Sequence, residues 1–167
     1  MKKHEKLEIV PVEQIPLGQI VDLEKSNLTN VYKTCLQLKE LCERSAGIGI
    51  AAVQAGIPLN LFLVKYPTGY SYFANCSYRP ASEEKILHLE GCLSLVTPTG
   101  RMRTFSVERY KNILISGFQI LDKSELVCKQ LTDYSVSDFY AAVFQHEADH
   151  QNGILISEIG TEVEIYN

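Results

Sequence analysis

The chain has 167 residues, 46% of them apolar and 22% charged, the proportions of one globular domain able to bury about 70% of its unfolded surface. Sixteen basic against twenty acidic residues give a net charge of −4, and no basic run or aromatic-interleaved stripe supports nucleic-acid binding. No apolar segment reaches the roughly 18 residues of a membrane span.

The charged start, Met1-Lys2-Lys3-His4-Glu5-Lys6, leads into no long apolar stretch. No signal peptide is read, and the expected location is cytoplasmic, of a bacterium or of a host cell if the gene is viral. The five cysteines (35, 42, 76, 92, 128) are odd in number and irregularly spaced, which suits reduced thiols better than a disulfide frame. A first helix is expected from Ser26 or Thr29, as N-cap, to near Arg44, with Val31, Cys35, Leu38 and Cys42 on one face. Next comes Gly47-Ile48-Gly49-Ile50-Ala51-Ala52-Val53-Gln54, which fits the dinucleotide pattern G-x-G-x-x-A. That pattern must follow a strand and be answered by a carboxylate about 20 residues on. Here it follows a helix, and Pro67-Thr68-Gly69 offers no carboxylate. The nucleotide reading fails, leaving an extended glycine-rich stretch that a ligand can approach closely and that ends in an amide donor.

Strands are expected at 60–66, 70–76, 85–90, 104–110, 112–120 and 124–130, with a turn at Tyr66-Pro67-Thr68-Gly69 and a hairpin connection at Asp122-Lys123-Ser124. The last long helix is expected from near Ser135, where Ser135-x-x-Asp138 resembles a capping box, with Val136, Phe139, Val143 and His146 on one face. Helix, strands, then helix predicts an α+β fold: a mostly antiparallel sheet packed around a central C-terminal helix, with an N-terminal helix, in a single domain over 1–167.

That last helix carries Gln145-His146-Glu147-Ala148-Asp149-His150. Side chains four apart on a helix share a face, so His146 and His150 can meet one divalent ion while Glu147 takes a proton from water beside it. A catalytic site of this kind needs a third protein ligand and an open position. Seventeen residues follow His150, none of them His or Cys, although Glu158, Glu162 and Glu164 remain. The better donor lies upstream, Cys92 in Glu90-Gly91-Cys92-Leu93-Ser94.

Gly47-x-Gly49-x-Ala51-Ala52-x-Gln54, Glu90-Gly91-Cys92-Leu93-Ser94 and Gln145-His146-Glu147-x-x-His150, in that order, resemble the three signature motifs of the peptide deformylases. The resemblance implies a metal-dependent hydrolase that removes the formyl group from the initiator methionine of new polypeptides. It implies Cys92, His146 and His150 as metal ligands and Glu147 as acid and base, with Gln54 and the backbone N–H of Leu93 stabilising the oxyanion. It also implies one divalent ion, Fe(II) in cells, for which zinc, nickel or cobalt can substitute. The implied partners are N-formylmethionyl nascent peptides, with transient ribosome association.

Five departures from the family pattern stand out. Leu95-Val96-Thr97-Pro98 replaces the usual Val-Pro or Ile-Pro, and Val107-x-Arg109 arrives about five residues late, which predicts a longer loop over 96–104. Asn75-Cys76 stands for Asn-Pro, and Gln151 for Leu. The tail is short, without the C-terminal helix common in bacterial members.

A methionine side chain entering beside the metal would meet Phe139, Ala142 and Val143 with Glu90 and Gly91, while the peptide backbone adds as an extended strand along Ile48 and Gly91, with Gly49 also expected in the substrate site. Two rival classes keep part of this pattern. A different small metallopeptidase would need His146, Glu147 and His150 but not Gln54 or Cys92. A non-catalytic metal- or peptide-binding relative would keep the fold without turnover.

Overall fold

Leu61-Phe62-Leu63-Val64 is apolar without a break, and the fold buries both sides of it. In the computed structural model, which describes residues 6–164, Leu61 and Leu63 join one core and Phe62 and Val64 another. The reading drawn from Met1–Glu5 lies outside the described residues. These four belong to β2 (Leu61–Tyr66), which sits between β1 (Gly49–Ala51) and β3 (Gly69–Pro80). The sheet continues through β6 (Asn112–Asp122) and β7 (Leu126–Ser137), in the order β1-β2-β3-β6-β7. A second sheet contains β4 (Lys85–Val96), β5 (Met102–Tyr110) and β8 (Thr161–Val163). Every pairing is antiparallel. With α1 (Lys25–Arg44) and α2 (Asp138–Gln151) packed on the sheets, the expected α+β architecture is borne out.

The two helices cover opposite faces of the larger sheet. From α1, Leu28, Val31, Cys35, Leu38, Leu41 and Cys42 form the helical-period stripe that meets Leu61, Leu63 and Tyr72. From α2, Ala141, Phe144 and Ala148 meet Phe62, Phe73 and Ile113, and the ring of Phe144 stands edge-on to both phenylalanines. Covering both faces explains the unbroken apolar run in β2, because alternation appears only where one face is wet.

Both helix starts differ from expectation. α1 begins at Lys25, before Ser26 or Thr29. Asp22 Oδ1 accepts the Glu24 N–H at 2.9 Å, and the Glu24 carbonyl accepts the N–H groups of Asn27 and Leu28, so the capping turn forms upstream. α2 begins at Asp138, not near Ser135. Residues 135–137 remain in β7, opposite Leu114, Ile113 and Asn112, and the Asp138 N–H donates to the Lys111 carbonyl at 2.7 Å. The ladder takes the backbone groups a cap would have used, and Val136 lies on a strand rather than on the helix face.

The expected 96–104 loop also contracts. Only 97–101 lie outside the strands, closed by Thr97 N–H to Arg101 O at 2.8 Å. The surplus residues sit inside β4 instead. Gly91 is opposite Thr104 and Val96 opposite Met102, so the four residues 92–95 face the single residue 103. After α2 the tail makes the four-residue α3 (Ile156–Ile159) and β8.

Candidate metal centre and cleft

A bulge bends a strand and re-aims the side chains on it. Here the bulge begins at Cys92, which keeps the inward face it shares with Glu90 and is buried against α2. The donor atoms of Cys92, His146 and His150 lie within 4.8 Å of one another, with Cys92 Sγ 3.4 Å from His150 Nε2. His146 Nδ1 pairs with Glu90 Oε2 at 2.8 Å, which leaves its Nε2 facing the cluster. His150 Nδ1 is buried and has no partner among the described residues. Burial holds the pKa of His150 well below its ordinary value, so it stays neutral, as a ligand must. At His146 burial opposes the charge, but hydrogen bonds donated to Cys92 and Glu90 outweigh it and raise the pKa to about 10. Loading an ion therefore displaces a proton. One thiolate and two imidazoles converging in a buried pocket fit a divalent transition metal.

Glu147 lies beside this cluster, buried, with Oε2 lacking a partner among the described residues. Burial first of all raises its pKa, to about 7, with His146 and Arg109 opposing and Glu90 adding. A side chain at Gly49 would collide with the Glu147 carboxylate, so the second glycine of the early motif is there to make room. Gln54 closes the other side. Its Oε1 accepts the Ala51 N–H at 2.9 Å, which fixes the amide so that Nε2 donates to Ser94 Oγ at 3.0 Å and faces Cys92 Sγ at 3.6 Å. Leu93 falls within the bulge.

A chain of buried charges stands behind the histidine. Arg109, 3% exposed, donates Nε and Nη2 to the two oxygens of Glu90 at 2.8 and 3.0 Å, and Nη1 to Asp149 Oδ2. Asp149 Oδ1 accepts the Tyr78 hydroxyl at 3.0 Å. The pair with Arg109 and His146 overcomes the cost of burial and carries Glu90 down to about 2, so the carboxylate that orients His146 stays ionised.

His146, Glu147 and Gln54 line a cleft of about 270 Å³. Ile48, Gly49, Glu90, Gly91, Phe139, Ala142 and Val143 all line it. Phe139 is 53% exposed, a rim residue rather than core, and the Glu90 carboxylate is committed to Arg109 and His146. Sequence reasoning missed His88, Leu89 and Met102 on the cleft wall. Met102 packs over Gly91, where a Cβ would strike its sulfur. Arg109 was visible as a landmark without its role, and Tyr78 gave no signal at all. Two of the downstream carboxylates are occupied elsewhere: Glu158 accepts the Leu155 N–H, and Glu162 pairs with Arg103.

A thiolate and a His-Glu-x-x-His helix around one buried point, with a fixed amide donor beside it, are the constellation of a metal-dependent hydrolase. The sequence model of polypeptide deformylases matches residues 7–163, and the chain belongs to that family. It is 29% identical over 148 residues to a peptide deformylase of Syntrophomonas wolfei, covering 89% of this chain and 88% of that protein. A Thermotoga neapolitana peptide deformylase is 34% identical over 113 residues, 66% of this chain and 60% of the relative. Among solved structures, a probable peptide deformylase from Synechococcus phage S-SSM7 superposes with a TM-score of 0.72 at 28% identity, covering 92% of this chain and 99% of that one.

Proposed function

We propose that the chain hydrolyses the N-formyl group of formylmethionyl peptides, releasing formate, with Cys92, His146 and His150 holding one divalent ion. The observation that carries this reading is the convergence of those three donors beside an unpartnered Glu147 oxygen. A bound divalent ion would supply Lewis acidity and a nucleophile from water at neutral pH.

The remaining steps belong to the chain's own groups. Glu147, with its pKa near 7, accepts the proton of the attacking water and returns it to the leaving amine. Gln54 Nε2 and the Leu93 N–H donate to the oxygen of the tetrahedral centre, each such donor being worth about 3 kcal/mol. Gly47 and Gly49 let the substrate backbone approach beside Ile48, and Ala142 and Val143 with Phe139 receive the methionine side chain. Glu90, held by Arg109, keeps the His146 ring in its ligating orientation.

The ion is Fe(II) in cells, with zinc, nickel or cobalt able to substitute, since a thiolate–imidazole set accepts all four. The work is placed in the cytoplasm, on nascent chains, with transient ribosome contact. Among the described residues no helix is long and apolar enough to cross a membrane. Formate release from formyl-Met-Ala-Ser by anaerobically purified protein, with elemental analysis of the same sample, tests the reading. Hydrolysis of unformylated peptides at an equal rate would turn it into a general peptidase.

A further inference from the structure

β4 is an edge strand: in its sheet it pairs with β5 alone. Exposed edges are usually blunted with charge, because unpaired N–H and C=O groups invite another strand. This edge carries leucines instead. Leu87 and Leu89 are 65% and 68% exposed, and they alternate with His88 and Glu90, so they share the outer face of the sheet with Gly91. Met102, itself half-exposed, lies over Gly91 and continues the row. The three side chains form an apolar ridge whose members on β4 are about 7 Å apart. Its near end is the lip of the cleft, which Leu89 and Met102 line.

Resting on the deformylase reading above, the geometry points to this ridge as a specificity surface for the substrate's continuing chain, favouring apolar side chains at its second and fourth residues. The methionine side chain must enter on the α2 side, where Glu90 points. Alternation along an extended peptide then places residues 2 and 4 on the outer face, against Met102 and Leu89 and then Leu89 and Leu87, and residue 3 on the other. The occupant is the substrate because the ridge is continuous with the cleft, so a chain leaving the metal centre along β4 must pass it. Self-pairing of two β4 edges is opposed by the bulge at 92–95, which bends the strand away from a flat template.

Two labelled product peptides of one composition test this, Met-Leu-Ser-Leu-Ser and Met-Ser-Leu-Ser-Leu, bound to the metal-loaded full chain and read by fluorescence anisotropy. The first should bind about ten-fold tighter, and its formylated form should show a KM about ten-fold lower at equal kcat. The double substitution Leu87→Ser with Leu89→Ser should bring both ratios to within two-fold, with the unfolding midpoint confirming an intact fold. If the double variant does not fold, Leu87→Lys alone should instead shift the preference toward an acidic fourth residue. Equal binding of the two peptides, or ratios unchanged in folded variants, overturns the inference. So does a concentration-dependent dimer that the same substitutions abolish. Absence of formate from both formylated peptides with the binding ratio intact would sink the deformylase reading and leave the ridge standing.

Discussion

Replacing Arg109 by leucine removes the one cation between two buried carboxylates. The guanidinium makes two bonds to Glu90 and one to Asp149, and the partner side chains are only 11% and 10% exposed, so water cannot take its place. Breaking a buried ion pair from one side costs about 3–5 kcal/mol, because the charge left behind stays desolvated. Against the cost of burial, Arg109 and His146 together depress Glu90 from 4.5 to about 2, a net of about 3 kcal/mol at 1.36 per unit of which Arg109 supplies a part. Arg109→Leu should therefore lose about 3–5 kcal/mol at pH 7, a large part of the 5–15 typical of a domain. Urea unfolding of metal-stripped wild type and variant measures it. A carboxylate with a depressed folded pKa stabilises above its unfolded value and loses that contribution as pH falls through the folded one. The gap between the proteins should accordingly narrow between pH ~4.5 and ~2. Arg109→Lys should fall between them, since an ammonium cannot reproduce the fork to Glu90 and the third bond together. A loss under about 1 kcal/mol at pH 7 would refute the assignment of a stability role to this network.

Further outcomes bear on the centre itself. Cys92→Ala should abolish stoichiometric metal in folded protein; full metal and activity in that variant would mean a different ligand set. Glu147→Gln keeps shape and all three ligands but cannot carry the proton, so kcat should drop by about 10²–10⁴ while metal and product-peptide binding persist. Gln54→Ala should lose less than Glu147→Gln, because the Leu93 N–H and the ion still meet the oxyanion. If iron is the working ion, activity should decay in air as iron and the Cys92 thiolate oxidise, and nickel substitution should slow that decay; equal lifetimes count against iron.

The sheet-and-helix architecture was legible because its signals are local. The stripe on α1, the strand runs and the turns at Tyr66–Gly69 and near Asp122 are each set by residues close in sequence. The start of α2 was misread because a longer-range pairing competed, Asn112 and Leu114 holding Ser137 and Ser135 in β7, whereas that of α1 moved upstream on the local turn at Asp22 and Glu24. The 96–104 excess was legible as a number of residues but not as a shape. Whether surplus chain loops out or bulges within a strand depends on the partner strand, and β5 pairs up to Met102.

The donors at the centre were legible because two of them sit on one helical turn and the third in a short motif. The groups that hold them were not, and the reason is separation along the chain. Glu90 and Arg109 are 19 residues apart, Arg109 and Asp149 40, Tyr78 and Asp149 71. No periodicity links such positions; only the meeting of β3, β4, β5 and α2 does. The ion network holds the strand that carries Cys92 against the helix that carries the two histidines. Alternation along β4 puts Cys92 on the same face as Glu90, toward α2. Glu90, two residues before Cys92, ties the same strand to His146 through its carboxylate and to β5 through Arg109. Strand and helix are thus fixed relative to one another by a buried charge chain that runs directly behind the three donors.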